Sequence, residues 1–575
     1  MKEWLPDPLA RRPLLPLVAV AATLLLWHLG AYGLWESTEA RYAEIAARMV
    51  RSGDWISPRL GGILHFDKPP VAYWASAAGM AALGIEELAA RLPLVLASLA
   101  GLVVVYRAAA DALCPRAAAF AFLTLLTSPL WFALSRSLTT DLYLTVSIVV
   151  AMDAARRGTR AGGSRVWRIL AWTAVGAGFL TKGPVVFLWT ALPLLAWAAW
   201  TGSWRRVGRL ADPLGIVAFA LVALPWFLVE AIRHPGLLSY WLGGQVEGRI
   251  VEPYRGEVEP WWSYVATLGW AAWLWILPGA VGLRALARQR ERPGGRFLVA
   301  WAVLPLIAFS LFPTKRANYA LPALPAIALA AGWWWDRALA GLAPAGGIVL
   351  RVLAVGTAGF GAALLAAGPF LRDVPREVAS LGWLFGPAFL LGGAAAWLAA
   401  SRARPDLAFA ACLLPLAGLY LGLVGALAHP RVEAWSKISR PLIREIAAHR
   451  TDDERIVSYH VWLRAIPFYL DDRVITITED GRLTRFETDE SWRETTFTAD
   501  STFFRMMDGP ERILAVVREG EVDEIARARG EPVVVLARDP RHALITNRPT
   551  PAERAAGAVS GRFPARAVRS DPTDP

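Results

Sequence analysis

Apolar runs long enough to cross a bilayer recur along the first three quarters of the chain, and they limit the fold more than any motif does. Crossing ~30 Å of hydrocarbon takes roughly 17–25 helical residues, and the backbone must satisfy its own hydrogen bonds on the way. Such runs read near Pro13–Leu34, Leu92–Tyr106, Ala117–Leu134, Leu138–Met152, Ile169–Leu180, Pro184–Trp200, Leu214–Val229, Trp262–Leu283, Phe297–Phe312, Tyr319–Trp335, Ile348–Phe370, Leu381–Ala400 and Leu407–Ala428. That makes about thirteen spans. With 55% hydrophobic residues, 28 tryptophans and only 19% charged residues, a soluble globular class is excluded. The expectation is a polytopic α-helical membrane protein.

The arginines orient it, because loops rich in Lys and Arg stay in the cytoplasm. Lys2, Arg11 and Arg12 precede the first run, Arg156 to Arg168 separate the fourth and fifth, and Arg205, Arg206 and Arg209 precede the seventh. Arg284 to Arg296 follow the eighth, and Arg402 and Arg404 the twelfth. All fall on one side if the N-terminus is cytoplasmic, which puts Glu36–Pro70 and everything after Ala428 outside. The net charge of +12 then reads as topology and anionic-lipid contact, with no nucleic-acid partner. The first run is too long for a signal-peptide core and reads as retained. Cys114 and Cys412 are too few for a disulfide framework or a zinc–thiolate site.

From Pro430 the pattern changes. Strand-like pieces at Arg455–Tyr459, Arg473–Thr478, Ile513–Val517 and Pro532–Ala537 alternate with a helical piece, Val522–Arg529, which predicts a small extracytoplasmic α/β domain. The expected layout is a membrane domain over 1–429 with a reactive outer loop at 35–90, the α/β domain over 430–547, and a disordered tail over 548–575.

The outer loop gathers Glu36, Glu39, Arg41, Glu44, Asp54, Asp67 and Lys68 at the mouth of the helices. Tyr42, Ile45 and Met49 fall at i, i+3 and i+7, while Arg41, Glu44 and Arg48 mark a second face. This predicts an amphipathic helix along the interface, capped by Ser37 or Thr38 and ended by Gly53. Asp67-Lys68 is followed by Pro69-Pro70, which stiffen the backbone after the charged pair, and then by a helix too short to span, Val71–Leu83. Taken singly, Glu44 and Arg48 read as solvated charges, Asp141 as a helix start bridged to Arg136, Lys182 as a snorkelling lysine, and His28, His429 and His460 as structural.

The series E-A-R-Y-A-E-I-A at Glu39–Ala46, S-G-D-W at Ser52–Trp55, P-R-L at Pro58–Leu60, F-D-K-P-P at Phe66–Pro70 and Tyr73-Trp74 resembles the first periplasmic loop of the aminoarabinose transferase family. Those enzymes stand with the protein O-mannosyltransferases among the polyprenyl-phosphate-dependent, type C glycosyltransferases. Arg136 and Asp141, F-L-T-K-G-P at Phe179–Pro184, K-R-A-N-Y-A-L-P-A-L-P at Lys315–Pro325 and Phe468-Tyr469-Leu470 are similar as well.

The resemblance implies a type C fold, a polyprenyl-phosphate sugar donor, a lipid or glycan acceptor, and inverting transfer by a monomer at the outer face of a bacterial inner membrane. A protein hydroxyl is the alternative acceptor. Such transfer needs a carboxylate to take the acceptor's proton and cations to hold the departing phosphate. Glu39, Glu36, Asp67 and Asp141 are the candidate acids. Lys68, Arg41, Arg136, Lys315, Arg316 and Arg249 are the candidate phosphate partners. Thr38 stands where the family has its loop aspartate, so Glu39 or Glu36 would supply that acid. A divalent cation, with Asp67 and Glu247 as ligands, stays open.

Two other classes compete. A secondary transporter would place ionisable groups at mid-membrane between inverted repeats, whereas here the acids gather at one face. A non-catalytic envelope scaffold would tolerate neutral amides at Glu39 and Asp67.

Overall fold

The computed structural model describes residues 13–36, 38–61, 63–247, 259–289, 294–371, 373–451, 454–471, 474–477, 496–497 and 499–555, with the backbone alone for 244–247, 369, 496–497 and 555. The chain forms two compact units. The larger comprises Met1–Ala31, Asp54–Ser57 and Phe66–Ala426, and the smaller comprises Tyr32–Gly53, Pro58–His65 and Leu427–Pro575.

The larger unit is a helical bundle of a polytopic membrane protein. Among the described residues five helices are long and apolar enough to cross a membrane: Glu87–Ala112, Pro213–Arg233, Gly346–Ala367, Arg376–Ser401 and Pro405–Leu427. Helices also occupy the other apolar runs, including Leu14–Leu26, Pro115–Leu126, Thr140–Gly158, Arg165–Lys182, Val185–Thr201, Gly294–Ser310 and Leu324–Leu339. The run expected as one span at Trp262–Leu283 is instead two helices, Ser263–Ala271 and Trp273–Arg288, bent by 106°. Trp273 at the break has φ +43°, a conformation that ends a helix. Gly346–Ala367 and Arg376–Ser401 approach closely because small residues line the seam. A Cβ on Gly361 would stand 2.6 Å from the Gly386 carbonyl oxygen, so only glycine fits.

The smaller unit is built on a six-stranded sheet. After a two-residue ladder of β1 (Arg59–Leu60) and β2 (Ile63–Leu64), the sheet strands are β3 (Arg455–Tyr459), β4 (Val474–Ile477), β5 (Thr496–Phe497), β6 (Ile513–Arg518), β7 (Val534–Arg538) and β8 (His542–Thr546), ordered β5-β4-β3-β6-β8-β7. The pairings among β5, β4, β3 and β6 are parallel, while β8 joins β6 and β7 antiparallel. Val457, Ile477, Phe503, Ala515, Ile525 and Ile545 fill its core.

This unit also takes in the helix Thr38–Ser52 of the outer loop. Arg51 donates to the Phe468 carbonyl at 3.0 Å and the Pro467 carbonyl at 3.1 Å, and pairs with Asp471 at 3.0 Å. The Gly33 N–H donates to the Glu433 carboxylate at 2.8 Å, and Trp35 makes an antiparallel bridge to Ile438. At the other end, the expected tail begins with an ordered helix, Pro551–Ala555, held by Glu553, which lies 2.7 Å from Arg512 Nη2 and 2.8 Å from His449 Nδ1. The rest of the expected tail, 556–575, lies outside the described residues.

Candidate functional site

In the larger unit, Asp141 sits in the first turn of Thr140–Gly158 and Lys182 is the last residue of Arg165–Lys182. These consecutive helices run antiparallel, so the start of one meets the end of the next. Lys182 Nζ lies 2.5 Å from Asp141 Oδ1, and Asn318 Nδ2 donates to Asp141 Oδ2 at 2.7 Å. The lysine also stands 4.5 Å from the centre of the Tyr319 ring. Side-chain exposure is 7% for Asp141 and 10% for Lys182, so the pair is largely withdrawn from water.

Three sequence expectations change here. Asp141 bonds Lys182 and Asn318, not Arg136, whose guanidinium donates to the carbonyls of Leu25 and, at 2.6 Å, Trp27. Lys182 is an ion-pair partner and not a snorkelling lysine. The K-R-A-N-Y segment reaches the site through Asn318 and Tyr319, both in the 3₁₀ turn Ala317–Ala323. Lys315 donates to the carbonyls of Glu259 at 2.7 Å and Phe312 at 2.8 Å, which ties down the end of Gly294–Ser310, and Arg316 caps the 3₁₀ turn. Asn318 carried no charge to draw attention, yet it stood inside a motif already singled out.

Asp67 accepts from Tyr240 Oη at 2.5 Å, and Lys68 Nζ donates to the Asp67 main-chain carbonyl at 2.9 Å. Trp241 Nε1 donates to the Phe66 carbonyl at 3.1 Å, which helps fix this turn. Near it, Glu230 is fully buried, accepts from Ser57 Oγ at 2.9 Å and lies 3.3 Å from His234 Nε2, whose ring is 5.2 Å from that of Phe66. Glu230 escaped the sequence reading because it directly follows the apolar run Leu214–Val229, where it reads as a charge at the end of a span. Among the described residues no group of three His, Cys, Asp or Glu is placed to hold a metal ion. The Glu247 side chain and the whole of Arg249 lie outside the described residues.

Glu36, Glu39 and Arg41 belong to the smaller unit. Glu36 Oε1 accepts from Ser439 Oγ at 2.7 Å and the Ala465 N–H at 3.0 Å, while Oε2 accepts from the Arg464 N–H at 3.1 Å. Burial pushes its carboxyl above the usual carboxylate range, against the opposing pull of Ser439 and Arg464. Both oxygens are occupied, so Glu36 fastens the 464–465 turn. Glu39 is 1% exposed and accepts the Trp35 N–H at 3.1 Å, as a first-turn acid closing its own helix start. Arg41 lies 5.6 Å from the centre of the Tyr42 ring.

Glu44, expected on a solvated face, is fully buried. It takes Arg48 Nε at 3.0 Å and the Gly61 N–H at 3.2 Å, and burial raises its carboxyl too. His460 stands between Asp500 at 3.0 Å and Glu521 at 3.2 Å.

Comparison with known proteins adds to this geometry. A sequence profile described as dolichyl-phosphate-mannose-protein mannosyltransferase matches residues 67–232, which hold Asp67, Lys68, Arg136, Asp141 and Lys182. The chain is 34% identical over 351 residues to an undecaprenyl phosphate-alpha-4-amino-4-deoxy-L-arabinose arabinosyl transferase of Edwardsiella ictaluri, covering 59% of this chain and 62% of that protein. It is 32% identical over 338 residues to the Pseudomonas aeruginosa protein of the same name, covering 56% and 60%. The chain thus spans under two thirds of the length of the curated relatives it matches. Among solved structures, ArnT from Cupriavidus metallidurans in the apo state superposes with a TM-score of 0.79 at 26% identity, over 94% of this chain and 98% of that one. The same protein bound to undecaprenyl phosphate superposes with a TM-score of 0.81 at 24% identity, over 94% and 99%, and so shares the fold. In sequence and in fold this chain is thus similar to the aminoarabinose transferases, and over residues 67–232 it is similar to the protein mannosyltransferases.

Proposed function

We propose that the chain transfers a sugar from a polyprenyl-phosphate carrier to a lipid A-like lipid or another envelope glycan, at the outer face of a bacterial inner membrane. The observation that carries this reading is the withdrawn Asp141–Lys182 pair with Asn318. It sets a carboxylate and an ammonium side by side at one end of a membrane bundle, which suits a reaction between a hydroxyl and a phosphate-linked sugar. In this reading the bundle crosses the membrane about thirteen times, with the N-terminus cytoplasmic and the α/β sheet outside, and acts as a monomer.

In the reaction, the acceptor oxygen attacks the anomeric carbon and the bond from that carbon to the phosphate oxygen breaks. The phosphate leaves with the bonding electrons and the hydroxyl proton passes to a carboxylate. Asp141 is the base we favour, and Lys182 and Lys68 face the phosphate. Base catalysis of this kind is worth ~10²–10⁴-fold. Glu36 is assigned no proton, because both of its oxygens are taken, while Asp67 positions Tyr240 and the turn that carries Lys68. Glu39 holds the start of its helix. The described donor set does not fit a divalent cation, so no step runs through one.

The test is to incubate purified chain with a panel of polyprenyl-phosphate sugars and lipid acceptors and to follow free polyprenyl phosphate. Release that depends on the acceptor and vanishes in Asp141→Asn supports the reading; no release with any donor overturns it. The mannosyltransferase profile over 67–232 favours one second reading, transfer to a protein hydroxyl, and peptide acceptors in the same assay decide it.

A further inference from the structure

The other end of the larger unit holds an open polar cavity of about 440 Å³, walled by Arg160, Arg168, Arg209 and Asp212 with Gly163 and Gly208. It lies where Thr140–Gly158 ends and where Arg165–Lys182 and Pro213–Arg233 begin, so two helices of 18 and 21 residues direct their N-termini toward it. The guanidinium groups are held in place by the turn between the first two helices. Arg209 Nη1 donates to the carbonyls of Thr159 at 2.8 Å and Arg160 at 3.0 Å, and Arg168 Nη1 to that of Gly163 at 3.0 Å.

Charge is only partly balanced. Asp212 takes Arg165 and Arg168, at 3.1 and 3.2 Å, and Asp111 takes Arg160 at 3.0 Å. Arg209 has no carboxylate partner among the described residues, and nothing described is bonded to its Nε or Nη2. Arg205 and Arg206 stand exposed beside it. On the same helices, Val166, Leu214 and Val217 are 68%, 50% and 51% exposed, and Trp204 is 55% exposed. The cavity therefore sits where a polar, cationic rim meets a lipid-facing apolar surface, with an aromatic at the level expected for an interface.

We propose that this cavity binds the phosphate of an anionic phospholipid, with Arg168 and Arg209 gripping the headgroup and the acyl chains lying along Val166 and Leu214. An arginine fork suits a phosphate better than a point charge does, and basic pockets between membrane helices are where anionic headgroups lodge. The wall at Gly208 is open, where a Cβ would meet nothing within 4 Å.

The experiment uses the full chain, purified in detergent and stripped of lipid, with retention of added phosphatidylglycerol or phosphatidylcholine read by native mass spectrometry. Wild type is expected to retain phosphatidylglycerol in preference. The Arg168→Gln/Arg209→Gln double variant is expected to lose that preference, with affinity about fivefold weaker for each arginine removed. Gly208→Glu puts a carboxylate into the cavity while every arginine contact stays in place, so it reports even if the double variant fails to fold, and it too is expected to lose retention. Inorganic phosphate at the same concentration is expected to displace no lipid. Equal retention of the two lipids, unchanged retention in Gly208→Glu, or displacement by inorganic phosphate would each overturn the proposal, the last by making the cavity a site for a free anion.

Discussion

Glu36 and Asp141 are both acids placed beside helix starts, and their surroundings give them opposite work. Glu36 is gripped by the Ser439 hydroxyl and by the two backbone N–H groups of the 464–465 turn in the smaller unit. Asp141 is met by two side chains, an ammonium from the neighbouring helix and an amide from a distant turn. Backbone donors cannot swing away or change charge, so a carboxylate they saturate is a fastener. Side-chain partners can be exchanged for substrate groups, and a lysine beside a carboxylate brings a charge that suits a phosphate. Burial alone does not distinguish these two acids; the kind of donor does.

Asp141→Asn breaks this comparison at its stronger end. The amide keeps the volume and a hydrogen bond to Asn318 but loses the basic oxygen, so release of polyprenyl phosphate per folded molecule should fall by ~10²–10⁴-fold. Turnover within a few-fold of wild type would move the base elsewhere in the chain.

Lys182→Met should act on stability as well. It leaves Asp141 withdrawn from water without its cation, which costs about 3–5 kcal/mol when a buried pair loses one partner. The double variant Asp141→Asn/Lys182→Met should recover most of that loss while remaining inactive, because two neutral groups need no counter-charge. Thermal unfolding in detergent reads the three proteins. A Lys182→Met protein as stable as wild type would show the pair to be well solvated.

The fold was legible where one local rule decided it. Val71–Leu83 follows two prolines, and Arg455–Tyr459 and Val522–Arg529 have clear strand and helix periods; all three elements occur with the expected bounds. The 106° break at Ala272 was not legible, because the apolar run continues through it and only the backbone at Trp273 records the bend. Glu44 was misread since helical periodicity assigns charge to a wet face, whereas the Gly61 N–H and Arg48 make a dry place for it. Lys182 and Asp141 lie 41 residues apart, beyond any spacing rule. The hairpin itself was the missing signal, since two helices joined by a short turn bring the first turn of one to the last turn of the other.

At the weaker end of the comparison, Glu36→Gln should leave turnover per folded molecule unchanged and loosen the smaller unit, at about 1 kcal/mol for each hydrogen bond that the amide's NH₂ can no longer accept. Its pH dependence sharpens the contrast. The folded carboxyl loses its proton above the ordinary value of 4.5, so between 4.5 and the folded value the folded chain binds more protons than the unfolded one. The contribution of Glu36 to stability is therefore full below 4.5 and is lost as pH rises through the folded value, at no more than about 1.4 kcal/mol per pH unit. Glu454 in the same unit works in the opposite sense. Against its burial, Thr451 and Arg512 hold that carboxyl low, so its contribution is present above the ordinary value and is lost on acidification. The sum of such groups hides any one of them, and the difference between wild type and Glu36→Gln isolates the term. Amide hydrogen exchange along β6, followed as pH rises from about 4.5, should show protection falling more steeply in wild type than in the variant. Parallel curves would mean that the Ser439 and Ala465 contacts hold the carboxylate as well as they hold the acid.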